Sequence, residues 1–308
     1  MFLEKTIRTT FLLIFALLSV NVSGTEYLWQ LTDFPGVELY PDWSPDGSKI
    51  AYVYEADIWT IPPHGGTPTR ITTDPTGDWM PDWSPDGSEI VFVSDRSGSD
   101  DLWVIPSGGG EATQLTFDGG CKHPCWSPDG STIAFEYTSP YANTSIATIP
   151  ATGGEIAVLT DANEDDHNPT WSPDGSTIAF HSWRGAGGQS NIWSVPASGG
   201  GGLTQITDFE GAEVEPDWSW AIDRITYAWS DPSYEDKDIY TIPGGGGTPR
   251  QVTYHEADDR FPSWSPNGEH IVFSSDRTED WEYDLWIIKE QYQTIEPTSL
   301  GVVKVMFK

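Results

Sequence analysis

Five residues ahead of each of six tryptophans the chain places Glu38, Asp78, Cys121, Asp166, Glu213 and Asp259, so five of the six positions are acidic. The tryptophans are Trp43, Trp83, Trp126, Trp171, Trp218 and Trp264. Carboxylates gathered into a ring raise one another's pKa or attract a cation, and a hard cation such as calcium takes oxygen ligands. Lys122, His123, His167 and Arg260 stand beside them in sequence and can neutralise part of such a ring. The local alternative is capping, since Asp and Glu in turns bond nearby backbone N–H groups. Aromatic residues accompany the same stretches: Tyr40, Trp79, Tyr141, Trp183, Trp229, Phe261 and Trp281. Such side chains favour protein interfaces. Nucleophilic chemistry has no comparable pattern: neither a G-x-S-x-G elbow nor an H-E-x-x-H pair occurs, and His64, His167, His181, His255 and His270 are scattered.

What positions these residues is a repeat. The copies read PDWSPDGSKIAYV from Pro41, PDWSPDGSEIVFV from Pro81, PCWSPDGSTIAFE from Pro124, PTWSPDGSTIAFH from Pro169, PDWSWAIDRITYA from Pro216 and PSWSPNGEHIVFS from Pro262. Successive anchoring tryptophans lie 40, 43, 45, 47 and 46 residues apart. A period in this range, built of short β segments, means one propeller blade per repeat. In the second copy Pro81 to Ser84 is strand a, Ser84-Pro85-Asp86-Gly87 a tight turn, and Ile90 to Val93 strand b. Asp101 to Ile105 follows as strand c and Ala112 to Thr116 as strand d. The expected fold is therefore all-β, a six-bladed β-propeller of four-stranded antiparallel blades. In the fifth copy Trp220-Ala221-Ile222-Asp223 replaces the proline-aspartate-glycine turn, so that hairpin should differ.

The W-S-P-D-G turn, the I-A-F strand after it, D-[IL]-W-x-I-P and G-G-x-x-x-x-[IL]-T resemble the WD40-like repeat of the TolB propeller family. The resemblance covers roughly residues 26 to 300 and implies a six-bladed propeller that binds other proteins. TolB itself carries an α/β domain ahead of its propeller. Here the first repeat follows directly on a leader, so the resemblance is to the propeller alone. Trp29-Gln30-Leu31-Thr32 reads as a strand d without a blade of its own. It should close the sixth blade beside the strand from Asp284, in competition with Glu296 to Leu300.

Residues 1–24 read as a secretory signal peptide: Lys5 and Arg8 precede an apolar run from Phe11 to Leu18, and Val22 and Gly24 suit cleavage before Thr25. The run is short for a retained anchor. Export to the periplasm or beyond is expected, with residues 25–308 as the propeller and no stable membrane insertion. The formal net charge of −32 opposes nucleic acid and anionic lipid. It favours cations or a basic partner, or else reflects an acidic surface. Cys121 and Cys125 share one loop and leave open a local disulfide or two free thiols.

Antiparallel order puts the uniform a–b and c–d turns on one face and the variable b–c loops and d–a connections on the other. Binding residues usually sit on loops held by a rigid scaffold. The expected function is a non-catalytic module whose variable face engages a protein or peptide, with the acidic positions at the channel mouth. The alternative is a cation-dependent hydrolase or lyase with its site at that mouth. No cofactor is expected beyond a calcium ion in the acidic ring.

Overall fold

The computed structural model describes residues 28–139, 143–161, 163–185, 188–232, 236–278 and 282–290. They form six four-stranded antiparallel sheets, one per repeat. Blade 2 is representative: strand a spans Asp78–Trp83, b Glu89–Ser94, c Asp101–Pro106 and d Thr113–Gln114. The turn from a to b is chemically specified. Asp86 Oδ1 accepts from Ser84 Oγ at 2.8 Å and from the Ser88 N–H at 3.0 Å, while Gly87 takes a φ of 71°. That left-handed φ is open to glycine without steric penalty. In blade 5 the altered sequence makes a different turn, closed by Arg224 N–H to Ile222 C=O at 2.7 Å.

Blades pack on one another through strand b. Its first apolar residue (Ile50, Ile90, Ile133, Ile178, Ile225 and Ile271) is fully buried in every blade. Five of the six anchoring tryptophans are also buried, among them Trp83 against Ile58 and Ile71 of the preceding blade. Each such aliphatic side chain contributes roughly 1.5–3 kcal/mol of burial.

The last threonine of each strand d motif also joins blades internally. Its Oγ1 accepts the N–H of the second residue of strand c, as in Thr116 to Leu102 at 2.8 Å and Thr253 to Ile239 at 2.8 Å. At the ring's closure the same bond is made by the N-terminal segment: Thr32 Oγ1 accepts the Leu285 N–H at 2.8 Å. Leu28–Gln30 pairs antiparallel with Asp284–Lys289, so the N-terminal strand completes blade 6. Residues 296–300, the competing strand, and the leader lie outside the described residues.

Every strand a carries one irregularity, and it decides where side chains point. Pairing with strand b slips between Leu39 and Asp42, Trp79 and Asp82, Lys122 and Cys125, His167 and Thr170, Val214 and Asp217, and Arg260 and Ser263. The cause is in the sequence. A proline two residues before each tryptophan has no N–H for the ladder, which confines it to edges and bulges. The residue before that proline turns left-handed: Tyr40, Met80, His123, Asn168, Glu215 and Phe261 have φ between 43° and 57°. A non-glycine residue held there costs on the order of 1–3 kcal/mol. Six such positions cluster around one axis.

Candidate functional site

The bulge residues surround the mouth of an axial cavity of about 170 Å³. Tyr40, Met80, His123, Asn168, Glu215 and Phe261 line its upper end. Below them come the residues that immediately precede the tryptophans: Asp42, Asp82, Cys125, Thr170, Asp217 and Ser263. This lower layer stitches neighbouring blades. Asp42 accepts the Trp83 N–H at 2.9 Å, Asp82 the Trp126 N–H at 2.8 Å, and Asp217 the Trp264 N–H at 2.8 Å. Burial pushes all three carboxyls up, and Asp42 and Asp82 are raised further by the charge of their acidic neighbours. Asp217 reaches about 6. Burial likewise pushes the Cys125 thiol well up.

The ring of carboxylates expected at the mouth is not there. Glu38, Asp78, Asp166, Glu213 and Asp259 are fully buried and do not line the cavity. Plain alternation back from the inward-facing residue before each tryptophan would turn these acids inward too. The bulge inserts one residue and reverses the parity, so they face the blade interior.

There they are handled in two alternating ways. In blades 2, 4 and 6 an arginine eighteen residues later clamps the acid: Arg96 to Asp78 at 2.7 Å, Arg184 to Asp166 at 2.6 Å, Arg277 to Asp259 at 2.6 Å. Each arginine Nε also donates to the serine that ends strand b, namely Ser94, Ser182 or Ser275. Each guanidinium covers a phenylalanine of strand b, with Phe92 at 5.2 Å, Phe180 at 5.9 Å and Phe273 at 5.1 Å. In blades 1, 3 and 5 the arginine is missing and the serine position holds an aromatic, Tyr54, Tyr137 or Trp229. Glu213 there accepts from Asn191 at 2.7 Å and Thr207 at 3.1 Å, and burial lifts it to about 7. Burial also raises Glu38, which lies against Thr32 and Asp284. Cys121 takes the place of the acid in blade 3, and both cysteines are free.

Polar residues collect instead over blades 3 to 6. Glu136 occupies a strand b position that is Val53, Val93 or Ala228 in other blades, and it is 3 % exposed. Its Oε1 accepts the Asn168 N–H at 2.8 Å and lies 2.6 Å from His123 Nδ1, while Oε2 is 3.0 Å from His167 Nδ1. Burial opposes ionisation of Glu136, but the two imidazoles outweigh it and hold the carboxyl below its usual range. Burial would lower His167, yet the Glu136 hydrogen bond and charge raise it. His181 stacks on His167 at 5.3 Å; burial and the charge of His167 lower it to about 3. Its Nδ1 accepts the Glu215 N–H at 3.3 Å. Glu215 in turn accepts from Arg260 Nη2 at 2.6 Å and from the Phe261 N–H at 2.8 Å. Trp183, 39 % exposed, stands edge-on to His167 and His181.

The other half of the rim is apolar. Tyr40 packs on Phe261 at 4.3 Å and against His123 at 5.8 Å, with Met80 beyond. Of the remaining sequence candidates, Lys122 points outward to Asp100, and Trp79 packs between blades. Trp229 donates to the Glu210 carbonyl at 3.1 Å. Trp281 and Tyr141 lie outside the described residues. Among the described residues no group of three or more His, Cys, Asp or Glu side chains is disposed to hold a metal ion, and no helix is long and apolar enough to cross a membrane.

Residues 18–219, more than half of the chain, match the family described as TolB beta propeller domain. No curated protein sequence matches. Among solved structures, a protein of Agrobacterium tumefaciens assigned to TolB is 20% identical with a TM-score of 0.69, covering 87% of this chain and 98% of its own. TolB of Acinetobacter baumannii is 21% identical with a TM-score of 0.63, covering 84% of this chain and 65% of that one. Oligogalacturonate lyase of Vibrio parahaemolyticus is 16% identical with a TM-score of 0.60, covering 85% and 80%. At these identities the likeness to solved structures is one of fold.

Proposed function

This chain belongs to the TolB beta propeller domain family, and from that premise we propose that it is an exported, non-catalytic binding module. Its partner is a protein or peptide, engaged at the axial mouth on the face of the variable loops. The observation that carries this reading is the set of six left-handed bulge residues, all spent on one rim. Strained non-glycine backbone of this kind clusters at ligand-contacting sites. The rim's composition supports it: the exposed Trp183 and the Tyr40–Phe261 pair border the polar sector of Glu136, His167 and Arg260. Aromatic anchors beside satisfied polar groups are the make-up of an interface centre. A hydrolase or lyase using a cation ranks second. The fold of oligogalacturonate lyase is shared, while among the described residues no group of three or more His, Cys, Asp or Glu side chains is disposed to hold an ion.

Co-purification from envelope extract tests this. Trp183→Ala and Tyr40→Ala should each weaken the retained partner by about 30-fold or more, the size of an interface hot spot of roughly 2 kcal/mol. Retention of the full partner set by the doubly substituted protein, at unchanged thermal midpoint, would overturn the assignment of the mouth.

A further inference from the structure

We propose that residues 291–308 dock into an open groove at the ring's closure, between blade 6 and blade 1 on the face of the uniform turns. This goes beyond the binding reading above, because the groove lies on the face opposite the variable loops. One seam differs from the others. In blades 2 to 5 the c–d turn is seated on the blade before it. A methyl group added at Gly109, Gly153, Gly199 or Gly246 would come to 3.2 Å from the Ile71 carbonyl, 3.6 Å from the Leu115 carbonyl, 3.4 Å from the Leu159 side chain and 3.0 Å from the Ile206 carbonyl, respectively. Gly65 is the matching residue of blade 1, and a methyl group there would meet nothing within 4 Å. All five glycines share a φ of 70° to 83°, so the turns are alike and only the seating differs.

The sequence supplies a cause. Ser107, Ala151, Ala197 and Gly244 each donate their N–H to the a–b turn of their own blade, at 2.9 to 3.0 Å. Blade 1 has Pro63 in that place, which has no N–H to donate. The seam holds a groove of about 270 Å³, walled by Trp29, Trp43, Pro63, His64, Pro266 and His270. Trp43 is the one anchoring tryptophan that is not buried. Trp29 stands edge-on to His270 at 5.7 Å and is also partly exposed. Two half-exposed indoles and two prolines make an apolar trough, and an apolar segment laid in it is stabilised by leaving water.

The chain delivers such a segment to the same place. Glu290 makes the turn bond of blade 6, its N–H on the Glu269 carbonyl at 2.8 Å, and Lys289 before it pairs with the groove residue His270. The chain therefore leaves Glu290 on the turn face, beside the groove. Strand c of blade 6 already has Leu28–Gln30 along its open edge, so residues 296–300 have no place there. Eighteen residues follow Glu290, enough for about 60 Å when extended, so reach does not limit docking. Tyr292 and Ile295 come first, and from Val302 to Phe307 only Lys304 interrupts an apolar run. With Lys304 and Lys308 against Glu296 the segment carries +1 on a chain of −32, so charge favours its return to the protein's own surface. Docked in the groove, it fastens blade 6 to blade 1 a second time, beside the N-terminal strand.

Cross-linking tests this in the full chain. Cysteines are placed by His64→Cys at the groove and Thr294→Cys in the segment, with Lys122→Cys on the opposite face as the comparison site. A short bis-maleimide should join positions 64 and 294 within one chain about tenfold faster than positions 122 and 294, because docking raises the effective concentration of the pair. Hydrogen exchange of residues 61–66 and 265–270 is the second readout. Ending the chain at Glu290 should speed exchange there about tenfold, and adding back a peptide of residues 291–308 should restore protection saturably. Linkage between two chains rather than within one assigns the groove to a second copy and overturns the proposal. So does a rate no greater than at the comparison site, or exchange that the truncation leaves unchanged. The cross-link needs no truncation, so it decides the question even where the shortened chain fails to fold. Trp183 and Tyr40 lie on the other face, so failure here leaves the binding reading and its own test untouched.

Discussion

Replacing Asp217 by asparagine should remove a measurable slope from the protein's stability as a function of pH. The Asp217 carboxyl sits inside the axial layer, with Oδ2 on the Trp264 N–H at 2.8 Å and Oδ1 3.5 Å from Thr170 Oγ1. Burial lifts its pKa from 3.8 to about 6, against the lowering effect of those bonds. A carboxyl whose folded pKa is raised binds its proton more tightly in the native state. Its stabilisation is complete below pH 3.8 and is lost as pH rises to about 6. At about 1.4 kcal/mol per pKa unit, the loss is about 3 kcal/mol. Asparagine is nearly isosteric, keeps an oxygen for the Trp264 N–H and never ionises. Any constant cost of the substitution cancels when the same pair of proteins is compared at two pH values. Urea unfolding at pH 3 and pH 8 should therefore show the variant gaining about 3 kcal/mol on the native protein between them. For a chain of this size that is roughly 6–12 °C in midpoint. Because Asp217 also raises Asp42, the neutral residue relieves both, which adds in the same direction. A stability difference between the two proteins that does not change with pH, or that grows the opposite way, refutes the account of the axial layer.

Arg184→Met should cost about 3–5 kcal/mol by leaving the fully buried Asp166 unpaired, and adding Asp166→Asn should restore most of it; denaturant midpoints of the single and double variants read this out. Thr32→Val removes the acceptor for the buried Leu285 N–H at the ring closure and should lower stability by about 1–3 kcal/mol in the same assay. Cys121, whose thiol burial pushes up to about 12, and Cys125, raised well above its usual value, should resist a thiol reagent at pH 8 in the native protein. Both should react once the protein is unfolded. Calcium added after chelation should leave the thermal midpoint unchanged; a saturable rise would favour the cation-dependent reading.

Much of the architecture is legible in the repeats because each carries its own local instructions. Alternating Ile, Val and Phe write strand b, Pro-Asp-Gly writes the turn, and a solitary Trp-Gln-Leu-Thr announces a strand seeking a blade. The site was harder to read. Alternation is a reliable guide only while the ladder is regular, and the proline before each anchoring pair breaks it. That proline is the bulge signal, and it turns Glu38 and Asp78 into the blade while setting Tyr40 and Met80 on the rim. The same bulge leaves Asp42, Asp82 and Asp217 as the inward layer. His123, His167, Tyr40 and Phe261 stand out by type and position, and the structure places Tyr40, His123 and Phe261 along the cavity and His167 against Glu136, whereas Glu136 and His181 each look like one more residue of a core strand. Comparing that column across copies, where others hold Val or Ala, is the signal that reveals them. The arginine clamps have a signal too, in three Asp-to-Arg separations of eighteen residues that lie outside the tryptophan frame.

Because clamped and unclamped blades take turns around the axis, the disc is composed of three pairs rather than six equal wedges. Its natural unit of growth or excision is then a doublet. Removing one wedge would seat two guanidinium-bearing blades, or two aromatic-filled ones, next to each other. Deleting a doublet keeps every remaining boundary of a kind the protein already contains. Engineered rings shortened or lengthened in steps of two should thus close more readily than those altered by one.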